Sequence, residues 1–240
     1  MTGTGGDLMP AACGCEGAGL IATVRADVDR YLYYLEVEGT TGLRAMLQLA
    51  ILSPGLWALL SYRLAHHAAR IRPRPLSAAV SVPAQLGQQI VLALTGIRID
   101  PDAHIGPGLM IPHSGHIVVG PVRIGRCCDV LQGVTIEPGA PGQPPADQPP
   151  DEAPAPVLGD RVWVGPGAVI TGGVVVGSDA SIGANSVVTR DVPPCGVMIG
   201  VPARLISRKG SFAQVRYRGM LQDGERGAAD DGVAPAGREG

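Results

Sequence analysis

Branched aliphatic side chains recur at every sixth position: Ile99, Ile105, Ile111 and Ile117, then Ile124, Val130 and Ile136, then Leu158, Val164, Ile170, Val176, Ile182 and Val188. A helix repeats its buried face near every 3.6 residues and a strand every two. A step of six held through so long a stretch predicts a third geometry, a β-solenoid built from hexapeptides. Each hexad makes one short strand and one corner, with its aliphatic pointing inward. Three hexads close a triangular coil of 18 residues, and coils stack at about 4.8 Å. Two residues before the aliphatics stand small side chains suited to a narrow prism: Ala103, Cys128, Val134, Val162, Ala168, Val174, Ala180 and Ser186. The residue after is glycine at Gly106, Gly125, Gly159, Gly165, Gly177 and Gly183, where a corner needs unusual dihedrals or close backbone approach.

The spacing breaks twice. Between Ile117 and Ile124 it is seven, which predicts one inserted residue. Between Ile136 and Leu158 it is 22, and the extra chain carries Pro138, Pro141, Pro144, Pro145, Pro149, Pro150, Pro154 and Pro156. Proline at that density excludes a core strand, so residues 137–157 are expected to leave the prism as an extruded loop. Ahead of the solenoid the period turns helical. Val24, Val28, Tyr31, Leu32 and Leu35 share one stripe from Leu20 onward. Leu43, Met46, Leu47, Ala50 and Ile51 mark a second helix, closed by Ser53-Pro54-Gly55, and a third runs from Leu56 to about Ile71. A fourth covers Leu76 to Leu94. The division expected is a disordered leader over 1–19, an α-helical domain over 20–96 that caps the coil, the solenoid over 97–208, and a disordered tail over 209–240.

Composition changes this picture little. Aromatics are 3% of the 240 residues while glycine numbers 35 and proline 22, poor for a mixed core and natural for thin coils. A net charge of -2 offers no basic surface for nucleic acid. The start has no basic segment leading an apolar run, so no signal peptide is expected. The most apolar stretch, Leu43 to Ser61, contains Arg44, Gln48 and Pro54 and reads as soluble helices rather than a membrane span. Cys13, Cys15, Cys127, Cys128 and Cys195 form no disulfide framework, which fits a reduced, cytoplasmic protein. No metal site is expected.

Several stretches together resemble the serine O-acetyltransferase family. They are Gly108-Leu109-Met110-Ile111-Pro112-His113-Ser114-Gly115, Leu131-Gln132-Gly133-Val134-Thr135-Ile136, Val187-Val188-Thr189-Arg190-Asp191-Val192-Pro193-Pro194, and Gly200-Val201-Pro202-Ala203-Arg204. Arg25-Ala26-Asp27 before a helix, Pro54-Gly55-Leu56 and Tyr62-Arg63-Leu64-Ala65-His66 are similar to its helical domain. The resemblance spans roughly 22–208. It implies a mainly β fold, a left-handed parallel β-helix with an N-terminal α-helical domain, assembled as a homotrimer or a dimer of trimers. Acetyl-CoA as co-substrate would lie between neighbouring prisms.

Transfer of acetyl from a thioester to an alcohol needs a base at the hydroxyl and donors for the developing oxyanion. A histidine, whose ordinary pKa is about 6.5, suits the first task. By resemblance His113 is that base. One coil of 18 plus the inserted residue leads from His113 to Gln132, which is expected beside the imidazole, orienting it or the acceptor. His116 is near enough in sequence to touch substrate, although a solvent-facing corner histidine is the better reading. For the donor, corners at Gly165, Ala168, Gly183 and Ala184 offer backbone groups to the pantetheine arm. Arg190, Arg204 and Lys209 gather at the closing end, where phosphates are expected. The chain also departs from the family pattern. Pro112 stands where the family has aspartate before the histidine, Ala153-Pro154-Ala155-Pro156 where it has a second histidine, and Gly39-Thr40-Thr41-Gly42 where it has an acidic residue, with Glu38 close by. The acceptor therefore stays open between serine and a sugar or other small hydroxyl, beside a non-catalytic scaffold. The chain ends Arg238-Glu239-Gly240 without the isoleucine by which family members dock into the next enzyme of cysteine synthesis, so no such complex is expected.

Overall fold

A computed structural model describes residues 19–71, 74–139 and 154–218. The expected leader, the bulk of the extruded loop and the end of the tail lie outside the described residues. Four helices come first: α1 (Leu20–Val37), α2 (Gly42–Leu52), α3 (Pro54–Ala68) and α4 (Arg74–Thr95). Fourteen short strands, numbered along the chain, then wind around three faces. The first face stacks β1 (Ile97–Ile99), β3 (Ile117–Val119), β6 (Thr135–Glu137), β9 (Val169–Thr171) and β12 (Val187–Val188). The second stacks β2 (His104–Ile105), β4 (Arg123–Ile124), β7 (Val157–Leu158) and β10 (Val175–Val176). The third stacks β5 (Asp129–Val130), β8 (Trp163–Val164), β11 (Ser181–Ile182), β13 (Val197–Gly200) and β14 (Ala203–Ser207). Neighbours are parallel except β13 and β14, an antiparallel hairpin that closes the coil.

Ile105, Ile111, Ile124, Val130, Ile136, Leu158, Val164, Ile170, Val176, Ile182 and Val188 are all buried, as are the small residues two positions ahead of them. Each such aliphatic contributes on the order of 2 kcal/mol when fully removed from water. The glycines after the aliphatics serve the second of their two expected purposes. A Cβ on Gly159 would lie 2.6 Å from the Ser178 backbone nitrogen of the next coil. The left-handed backbone falls two residues later, at Cys127, Arg161, Asp179 and Asn185.

One register expectation is corrected. Ile99, Val119 and Ile136 are register partners, whereas Ile117 pairs with Ile97. Val119, not Ile117, holds the ladder position. The chain therefore takes eight residues from Ile111 to Val119 and five from Val119 to Ile124, in place of six and six. The single expected insertion is a two-residue insertion at the corner carrying His113, offset by a one-residue deletion at the next. Two branched aliphatics two residues apart both face inward, so spacing alone did not separate them.

The first coil has no coil above it, and its outward-facing backbone groups need other partners. The helices supply them. Tyr62 donates to the Ala103 carbonyl at 2.8 Å, Arg63 donates to the carbonyls of Ile105 and Gly106, and the Asp27 carboxylate accepts from Gly108 N–H at 2.7 Å. The Tyr31 hydroxyl accepts from Ile111 N–H at 2.9 Å. Gly55 lets α3 approach: a Cβ there would sit 2.8 Å from the Cβ of Ile111 and 2.9 Å from the Tyr31 hydroxyl. Arg25-Ala26-Asp27 lies inside α1 rather than before it, because Asp27 is a buried anchor to the coil. The apolar stripe expected to bury α2 faces outward instead: Leu43, Met46, Leu47 and Ile51 are exposed, and Ala45 and Leu49 pack inward. Val82, Leu86, Ile90 and Leu94 on α4 are exposed in the same way.

The chain after Ser207 is not a free tail over its first ten residues. Gly210 N–H bonds the Cys195 carbonyl, Ser211 N–H the Asp179 carbonyl and Ser211 Oγ the Arg161 carbonyl, while Ser211 and Val215 are buried. Arg30 Nε reaches the Arg216 carbonyl at 3.2 Å. Residues 209–218 thus form a strap running back along one edge of the prism to α1.

Candidate active site

The two extra residues at the first corner swing it outward. His113, Ser114 and His116 are exposed, and Gly115 and His116 take left-handed backbone at φ 114 and 53. The corner is nevertheless pinned on both sides. Tyr31 holds Ile111 two residues before His113, and Gly133 N–H bonds the Gly115 carbonyl at 2.9 Å. Beside it opens a cleft of about 360 Å³ between the third face, the C-terminal end of α1 and the strap. Met110, Pro112, Leu131 and Trp163 give it apolar walls, and its polar lining comes from His113, Tyr34, Glu38, Gln214 and Arg216. Arg30 and Asp129 also border it, paired with each other and almost wholly buried. Burial pushes the Asp129 carboxyl up to about 6 against the pull of the Arg30 guanidinium. The hydrogen bond to Glu38, with some burial, holds the Tyr34 hydroxyl above its ordinary value.

The corners that follow the third face stack into one continuous edge. Gly133 N–H bonds the Gly115 carbonyl, Gly167 N–H the Gln132 carbonyl, and Asn185 N–H the Pro166 carbonyl. His113, Gln132, Gly165 and the pair Gly183 and Ala184 therefore share one edge, spanning about 14 Å over three coil steps. Gln132 is in the coil directly below His113. Its Oε1 is buried and has no partner among the described residues. Ala168 belongs to the same corner but points inward at 0% exposure; its N–H bonds Gly165 and its carbonyl accepts from Thr135, so it has neither side chain nor N–H to offer a ligand. Arg190, Arg204 and Lys209 are exposed beyond the last coils and do not line the cleft.

Cys127 lines a different cleft with Arg126, Arg161 and Tyr217, and burial pushes its thiol up, away from the reactive thiolate. Cys128 fills its inward slot, with its thiol donating to the Gly159 carbonyl at 3.2 Å. Sequence reasoning passed over Tyr34, Asp129, Trp163, Gln214 and Arg216. Asp129 carried a signal, a carboxylate inside an apolar hexad. The strap residues carried none, since their role depends on where the chain turns after the last strand.

Residues 155–190 match the family described as bacterial transferase hexapeptide (six repeats). The chain is 37% identical over 162 residues to the serine acetyltransferase of Helicobacter pylori strain J99, covering 67% of this chain and 86% of that protein. It is 34% identical over 207 residues to the serine acetyltransferase of Synechococcus elongatus, covering 86% and 77%. Its fold superposes on the crystal structure of serine acetyltransferase in complex with coenzyme A from Brucella abortus strain S19 with a TM-score of 0.61 at 26% identity, over 78% of this chain and 68% of that one. Fold, edge and matches define a hexapeptide-repeat acyltransferase with a left-handed β-helix. The chain belongs to the serine acetyltransferase family.

Proposed function

We propose that this enzyme transfers acetyl from acetyl-CoA to the hydroxyl of L-serine, with His113 as general base. The observation that carries the reading is the shared edge: an outward imidazole at one end, and below it a column of corners whose groups face the same side. Coenzyme A fits this edge on one specific ground. Gln132 Oε1 is a buried acceptor lacking a donor among the described residues, and the amide N–H groups of pantetheine are donors of the kind it needs. Gly165, Gly183 and Ala184 would border the arm, and the exposed Arg190, Arg204 and Lys209 beyond the last coils would meet the phosphates. His113 takes the hydroxyl proton as oxygen attacks the thioester carbonyl. The carbon–sulfur bond then breaks, and the departing thiolate recovers the proton from the imidazolium. O-acetylserine carries an acetate leaving group at its β-carbon, ready for replacement by a sulfur nucleophile in cysteine synthesis.

A homotrimer with this edge at its seams suits both the outward histidine and the apolar faces of α2 and α4, which a lone chain leaves wet. A coenzyme A-bound crystal structure with the edge facing open solvent would refute that seam. Among the described residues no single helix is long and apolar enough to cross a membrane, and a cytoplasmic site of action accords with acetyl-CoA as donor. The reading is tested by thiol release from acetyl-CoA with L-serine, homoserine and a panel of sugars. Serine is expected to give the highest kcat/KM; faster turnover of a sugar, or no thiol release with any acceptor, would overturn it.

A further inference from the structure

The cleft beside His113 is lined by two charged side chains that have no ion pair among the described residues, Glu38 and Arg216. Glu38 caps the C-terminus of α1, where the helix dipole already concentrates negative charge and no basic residue sits in the last turn. A carboxylate there is opposed by its own helix, and it meets the Tyr34 hydroxyl, on which the Arg216 guanidinium also acts. Arg218 neutralises Glu36 at 3.1 Å and Asp29 at 3.6 Å, and Asp129 is matched by Arg30. Glu38 is left without an ion pair among the described residues. The strap contributes Arg216 to the same lining. Its backbone carbonyl is used by Arg30 Nε, while its guanidinium makes no ion pair among the described residues. Glu38 and Arg216 therefore line the same cleft as His113.

Resting on the assignment of serine as acceptor, we propose that Glu38 holds the acceptor's ammonium and Arg216 its carboxylate, so that α1 and the C-terminal strap, neither of them part of the coil, select an α-amino acid and aim its hydroxyl at His113. This supplies the grip on the zwitterion that Pro112, Gly39-Thr40-Thr41-Gly42 and Ala153-Pro154-Ala155-Pro156 do not provide. The strap becomes part of the specificity pocket, and the first coil contributes the base.

The test compares the full-length wild type with Arg216→Gln and Glu38→Gln on three acceptors: L-serine, L-serinamide, which lacks the carboxylate, and 3-hydroxypropionate, which lacks the ammonium. Where an analogue is not turned over, its Ki against serine takes the place of kcat/KM. Arg216→Gln is expected to lower the preference for serine over serinamide about 10- to 100-fold, the loss of one charge-assisted contact. It should leave the preference over 3-hydroxypropionate in place, since both carry the carboxylate. Glu38→Gln is expected to do the reverse, and Arg216→Lys to restore most of the lost preference. Equal losses on all three acceptors, or preferences unchanged in both variants, would overturn the assignment. A wild type that acetylates serine with unchanged variant preferences removes only this inference. A wild type that favours sugars removes the serine reading and this inference together.

Discussion

Replacing His113 by alanine is expected to lower kcat for acetyl transfer about 10²- to 10⁴-fold, the range for loss of a positioned general base, and to leave the melting temperature unmoved. The two halves of the expectation have separate physical sources. The imidazole is exposed at a corner whose geometry is set by backbone bonds from Tyr31 and Gly133, so its removal opens no cavity. A serine hydroxyl without a base must attack as a neutral alcohol, while binding of acetyl-CoA along the proposed edge is expected to persist. KM for acetyl-CoA should therefore change little. A loss of less than about tenfold in kcat at unchanged stability would remove His113 from the chemistry.

The second large effect concerns folding. Arg63→Ala is expected to cost about 3–5 kcal/mol, because it strands Asp27 as a charge at 0% exposure. Arg63 Nε bonds the Asp27 carboxylate at 2.9 Å, and the same guanidinium caps the carbonyls of Ile105 and Gly106. Burial already raises the Asp27 carboxyl above its ordinary value, with Arg63 opposing the rise. Without the guanidinium, the carboxyl must take a proton or draw in water, and two carbonyls of the first coil lose their donor. At roughly 2–4 °C per kcal/mol for a chain of this size, the thermal midpoint followed by circular dichroism should fall by about 6–20 °C. Pairing Asp27→Leu with Arg63→Met should lose less than Arg63→Ala alone, since it leaves no unpaired buried charge. A midpoint within 2 °C of wild type for Arg63→Ala would show that the helices do not depend on this pair.

The prism was legible because its inward positions repeat at a fixed step and side chains between them do little to hide it. Ile105, Ile111 and Ile182 needed only counting. The same counting misplaced Ile117, since Ile117 and Val119 are both branched aliphatics on the inner side and either satisfies the pattern locally. That slip mattered, for the two extra residues are what push His113 out of the face. The helices were legible as helices but not in their packing. The apolar stripe of α2 points outward, while α1 and α3 meet the coil through Asp27, Arg30 and Arg63, charged residues that hydropathy assigns to water. Their role arises from the open end of the first coil, whose unpaired carbonyls and N–H groups no spacing rule displays. His113 is proposed as base by resemblance, and the edge is proposed as donor site from its corner glycines. Glu38 drew notice only for its position, and Arg216 lay in a stretch expected to be a tail, because a strap bound mainly through backbone bonds leaves no hydrophobic period.

The most direct measurement is a crystal structure of the full-length chain with coenzyme A. The sulfur should lie within about 4 Å of an imidazole nitrogen of His113, allowing a proton to pass directly. The pantetheine arm should run down the edge from Gly115 past Gln132 and Gly165 to Gly183, with one of its amides bonded to Gln132 Oε1 and a second subunit closing the outer side. Coenzyme A bound along the strap edge by Arg126 and Arg161, or with its sulfur remote from His113, would contradict it.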